Sequence, residues 1–107
     1  MPFKTRELLE QAKVAIRREA DRHGGRLITF RLRYGKRVCA LGAMGRAAKI
    51  RLVGDPYNAI AVAYGLTWGN TVTAAKNSDA RRIVDANDDS NGDPLAVCRV
   101  LDEIGVG

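Results

Sequence analysis

One histidine, one tryptophan and two cysteines are all that the chain's 107 residues offer of those types, and aromatic side chains make up only 6% of it. A zinc or iron–sulfur site needs several Cys or His ligands at short spacings, so no such site can be assembled from His23, Cys39 and Cys98. The cysteines are far apart and each lies inside an apolar run, which favours reduced core thiols over a disulfide between them. No run approaches the roughly 18 consecutive apolar residues of a membrane span. The opening Met1-Pro2-Phe3-Lys4 leads into a charged amphipathic pattern instead of a signal-peptide core, so a single unprocessed cytoplasmic domain over 1–107 is expected. Nucleotide and hydrolase signatures are also missing: there is no Walker loop and no Gly-x-Ser-x-Gly elbow. These absences lead to an expectation of no catalytic residues, no metal and no cofactor.

Acids are scarce in the first half. Residues 1–51 carry 14 basic against 4 acidic side chains, a net +10, and residues 52–107 carry 4 against 8, a net −4. Of the 18 basic residues 13 are arginine, whose planar fork suits carboxylate and phosphate oxygens. An anionic partner is the natural inference, with Arg17, Arg18, Arg22, Arg31, Arg33, Arg37, Lys49 and Arg51 as the candidate contact surface. The simpler alternative is a solvated basic face that does no more than keep the protein dispersed.

Hydrophobic spacing predicts a mainly α domain of four to five helices with a short β-hairpin near 27–40. Thr5 is placed to cap a helix whose inward face reads Leu8, Leu9, Ala12, Ala15, Ile16 and Ala20, and Gly24-Gly25 stops it. Ile28, Phe30, Leu32 and Tyr34 alternate with polar residues before a Tyr-Gly-Lys turn, which suggests strands at 27–33 and 37–40. A small-residue helix should run from Cys39 to Ile50. Its Gly42 and Gly45 each cost roughly 1 kcal/mol against alanine, so close helix contact or a local break must compensate. Asp55-Pro56 opens a helix through Tyr57, Ile60, Ala61 and Tyr64 to Gly65. Residues 67–76 read as a short helix capped by Thr67 or as an irregular stretch anchored by Trp68. Ser78 or Asp79 caps a further helix, and Asp93-Pro94 begins a last one with Val97, Val100, Leu101 and Ile104 inward, closed by Gly105.

Four motifs come close to a known chemistry. In 85-DANDDSNGDPLAV-97, placing Gly92 at the glycine of an EF-hand loop makes Asn87, Asp89 and Asn91 the first ligands, but the twelfth position, which requires a bidentate Glu, is Cys98. The run therefore reads better as the joint between two helices, its Asn, Asp and Ser capping backbone groups. Gly42-x-x-Gly45 has the spacing of a KH loop, with Arg46 and Lys49 following but no basic residue between the glycines. Residues 57–76 resemble a helix-turn-helix in which Asn70, Thr71, Thr73 and Lys76 would read base edges, although an apolar residue is expected where Thr71 stands. His23, beside two glycines, is expected to be exposed, and its pairing with Cys39 as a nucleophile rests only on their being the sole candidates.

The segment Cys39-Ala40-Leu41-Gly42-Ala43-Met44, together with Ile83-Val84-Asp85-Ala86-Asn87-Asp88 before Asp93-Pro94 and Val97–Leu101, resembles small uncharacterised proteins of actinobacteria and their phages. The two patches amount to about a third of the chain, and Leu27–Lys36 departs from the pattern. The resemblance implies a mostly helical fold and a phage origin, with the host cytoplasm as location, and no activity. The expectation is therefore a non-enzymatic binding protein, a phage accessory protein that engages an acidic protein surface or a second copy of itself through its basic N-terminal half. Nucleic-acid binding, through the helix-turn-helix-like segment or through phosphate contacts, is the alternative.

Overall fold

The computed structural model describes residues 3–29, 37–54, 56–68 and 78–106, apart from the side chain of Val106. Among them are five helices: α1 Arg6–Arg22, α2 Ala40–Ala47, α3 Tyr57–Tyr64, α4 Asp79–Asp89 and α5 Pro94–Val106. There is no strand among the described residues. Half of the expected hairpin, 30–36, lies outside them, and Ala40 at the end of its second arm is the first residue of α2.

Local signals set most of the helix ends. Thr5 Oγ1 accepts from Leu8 N at 3.1 Å and opens α1. At its other end the amides of His23 and Gly25 both donate to Ala20 O, with Gly24 and Gly25 at positive φ. α3 begins one residue later than the proline rule places it, since Pro56 is the cap and not the first helical residue, and Gly65 in the left-handed region closes it. Ser78 Oγ accepts from Arg81 N to cap α4. Thr67 serves the same helix end: Thr67 Oγ1 accepts from Asp79 N at 2.9 Å and Asp79 Oδ2 accepts from Thr67 N at 3.2 Å. Most of the short helix or irregular stretch expected over 67–76 lies outside the described residues. Asp93 Oδ1 accepts from Leu95 N at the head of α5, as the Asp-Pro pair predicts.

Packing joins α1 to α2 and α5, and α4 also to α2 and α5, so these four close a ring around the core, with α3 laid on α2. Ile16, Leu41, Met44, Ile60, Ile83, Val97, Leu101 and Ile104 are completely or nearly completely enclosed in it. Two glycines mark close approaches between helices. A Cβ on Gly45 would sit 2.7 Å from Ile60 Cδ1, so the Ile60 side chain of α3 packs directly on the α2 backbone there, which repays the propensity cost. Gly105 does not end α5, which continues to Val106; a Cβ there would meet Leu9 Cδ2 at 2.8 Å, and the glycine admits α1. Tyr64 ties three helices together. Its hydroxyl donates to Met44 O at 2.7 Å in α2 and accepts from Gln11 Nε2 at 3.2 Å in α1, and its ring packs edge-on against Phe3.

A candidate anion-binding face on α1

The exposed side of α1 carries Arg17, Arg18 and Arg22, but the helix turn sends them to different neighbours. Arg18 and Arg22, four residues apart, border a notch between α1 and α2 with a volume of about 180 Å³. Arg46 faces them from the last turn of α2, and Ala15, Ala43 and Ala47 line the rest. Arg17 goes the other way, to a shallower groove between α1 and α5 that it shares with Lys13, Leu95, Cys98, Arg99 and Asp102. Between the two lies the ridge of α1, where Val14 is exposed.

One acid stands behind the notch. Glu19 is almost fully buried, its side chain 4% exposed, and takes three partners: Val38 N donates to Oε2 at 3.2 Å, His23 Nε2 lies 3.1 Å from the same oxygen, and Arg46 Nη1 lies 3.4 Å from Oε1. A buried carboxylate must be matched in this way to avoid a desolvation cost of several kcal/mol. His23 is thus half-buried and engaged with Glu19, not exposed as its glycine neighbours suggest. Glu19 also fixes the residues entering α2, and it positions Arg46. Arg18 and Arg22 have no ion pair among the described residues. Among the described residues, the notch therefore keeps two guanidiniums without an ion pair.

On the α5 side the charges are better matched. Lys13 Nζ lies 2.9 Å from Asp102 Oδ1 and 3.7 Å from Glu10 Oε1, and the Asp102 contact raises the lysine pKa. Arg17 and Arg99 have no ion pair there among the described residues.

The other described candidates do not join this face. Arg37 donates from Nη2 to Arg26 O at 3.4 Å, and its Nε is buried with no acceptor among the described residues. Lys49 adopts a left-handed φ of 61° to close α2, where Ile50 N donates to Gly45 O, and neither it nor Arg51 lines the notch. Arg31, Arg33 and the base-reading set Asn70, Thr71, Thr73 and Lys76 lie outside the described residues. So does the second helix of the helix-turn-helix reading, while Trp68, just before it, stacks on Tyr57 at 5.3 Å.

The Asp- and Asn-rich stretch is a structural joint, more helical than its composition suggests. Residues 85–89 are the last turns of α4, and Asn91 and Gly92 turn the chain with φ of 56° and 78°. Asn87 is 1% exposed and committed to the fold. Its Oδ1 accepts from Ala40 N at 3.0 Å, and its Nδ2 donates to Ile28 O at 2.7 Å and to Asp88 Oδ1 at 3.1 Å. Cys39, the residue before α2, makes no side-chain cap, so Asn87 caps that helix from another part of the chain. The two patches that carry the family resemblance meet at this hydrogen bond. Both cysteines are free and buried, and burial raises both thiol pKa values.

Sequence reasoning singled out Arg18 and Arg22, named Arg46 only as part of the KH-like motif, and missed Glu19. Glu19 falls on the buried arc of α1, beside Ile16 and Ala20, and that acid among apolar positions was the available signal. Compared with protein-family models, curated proteins and solved structures, the chain matches none.

Proposed function

We propose that this is a non-enzymatic binding protein that engages an acidic protein surface through the exposed face of α1 and the two hollows beside it. The observation that carries the reading is the notch rimmed by Arg18, Arg22 and Arg46, with only one carboxylate, Glu19, behind three guanidiniums. Arg17 and Arg99 extend the positive charge across α1 toward α5. Exposed arginines in such an array have partner-seeking forks and little to lose in desolvation, so each contact with a carboxylate contributes about 0.2–1 kcal/mol. Complementary charge of this kind speeds encounter more than it tightens the final complex. An accessory role in a phage, toward a host macromolecule, rests on the resemblance of the two short motifs alone.

The test is binding of labelled poly-glutamate and of a labelled DNA duplex at about 50 mM and about 300 mM salt, where a phosphate-bound complex loses orders of magnitude in affinity. The reading expects poly-glutamate to bind the wild-type protein and to be lost from a variant with Arg17, Arg18 and Arg22 all changed to glutamine. Preference for the duplex, lost in the same variant, would favour nucleic acid. Indifference of the variant would remove α1 from the reading.

A further inference from the structure

We infer that the notch between α1 and α2 is a receptor for a single glutamate side chain of the partner, its carboxylate among Arg18, Arg22 and Arg46 and its methylenes over Ala15, Ala43 and Ala47. This rests on the protein-partner reading above and specifies which group that partner presents. The rim and the floor of the notch ask for different chemistries. Its rim supplies guanidinium N–H groups, whose forked geometry matches a planar carboxylate. Its floor supplies the methyl groups of Ala15, Ala43 and Ala47 beside Glu19, whose carboxylate is already held by Val38 N, His23 and Arg46, so the anion should arrive on an apolar stem.

Charge around the notch selects against a phosphate dianion. Phosphate sites are commonly built from helix N-termini or from nests of free backbone N–H groups. Here the opposite ends face the ligand: Arg22 is the last residue of α1 and Arg46 stands in the last turn of α2, where helix dipoles present partial negative charge. The residues lining the notch lie within those two helices, so their amides are spent on helical bonds, as Ala43 N is on Cys39 O. Glu19 adds a full negative charge behind Arg46 at 3.4 Å. A second charge on the ligand would be repelled by all three features; a phosphodiester, itself a monoanion, is disfavoured instead by the lack of free amides and by the methyl groups of the floor. Between the two acidic residues the floor favours glutamate, since one more buried methylene is worth roughly a four-fold gain in affinity.

Fluorescence anisotropy with labelled hexaglutamate, hexaaspartate and a single-stranded thymidine oligonucleotide of equal charge, at low salt, tests the assignment. Three variants separate its parts. Arg18→Gln removes one rim charge, Ala47→Leu fills the floor and keeps every charge, and Arg17→Gln alters only the α5 side. The expected result is hexaglutamate tighter than hexaaspartate and tighter than the oligonucleotide, weakened about three-fold or more by Arg18→Gln and by Ala47→Leu and weakened less by Arg17→Gln than by either. An oligonucleotide that binds as tightly as hexaglutamate overturns the inference, and so does hexaglutamate binding that ignores Ala47→Leu. If hexaglutamate binds and only Arg17→Gln weakens it, the notch is wrong while the basic-face reading stands. If no acidic peptide binds the wild-type protein, both fall.

Discussion

Replacing Asn87 with alanine should be among the most damaging single changes outside the apolar core, although the residue sits in a stretch that looks like a polar linker. The carboxamide is buried and links three segments: the N-terminus of α2 through Ala40 N, residue 28 through its carbonyl, and the end of α4. Alanine would strand the Ala40 amide in a fully buried position, which costs about 1–3 kcal/mol, and would forfeit the bond to Ile28 O, about 0.5–1.5 kcal/mol more. A loss of about 2–4 kcal/mol is a large part of the roughly 5–15 kcal/mol typical of a domain. For a chain of this length it lowers the melting temperature by on the order of 10–25 °C. Urea denaturation followed by circular dichroism measures it, with Asp89→Ala, an exposed neighbour on the same helix end, as a control expected to stay within about 0.5 kcal/mol of wild type. If Asn87→Ala also stays within about 0.5 kcal/mol, the tertiary cap is not a stabilising element and the account of this joint is wrong.

Gly92→Ala places a methyl against the Leu27 backbone at a φ of 78° and should prevent the Leu27 N to Gly92 O bond, whereas Gly24→Ala has the same φ with open space around it. The first should cost more than about 3 kcal/mol and the second about 1–2 kcal/mol in the same urea assay; equal losses would contradict the close approach. Gly45→Ala gains roughly 1 kcal/mol of helix propensity but crowds Ile60, so it should destabilise alone and be at least partly rescued by Ile60→Val in a double-mutant cycle, and simple additivity would refute the contact. Burial raises the thiol pKa values of Cys39 and Cys98 above the ordinary 9.0, so the folded protein keeps those protons longer than the unfolded chain does. Their contribution to stability is complete below that value and is lost as pH rises through the folded values, and changing both cysteines to alanine should flatten the fall in urea midpoint above about pH 9.

Helix positions were legible because their signals are local. Thr5, Ser78, Asp93 and Gly65 act on backbone groups within a few residues, and the apolar spacing of α1 and α5 survives in the folded core. What the sequence could not show was pairing between distant segments. Asn87 and Ala40 are 47 positions apart, and nothing near either residue announces the bond. Gly105 reads as a stop from its neighbours and acts as a spacer because of Leu9. His23 reads as exposed from its glycines and is turned inward by Glu19. The basic half of the chain was visible as composition alone. Its division into two hollows depends on the 100° step between Arg17 and Arg18 and on which helices pack beside α1.

The most direct test of the basic-face account is nuclear magnetic resonance of the arginine side chains during titration with hexaglutamate. Shifts concentrated on the Nε–H signals of Arg18, Arg22 and Arg46, with smaller changes at Arg17 and Arg99, are the predicted result. Shifts confined to Arg31, Arg33 or Arg51, with the α1 arginines unmoved, would contradict it.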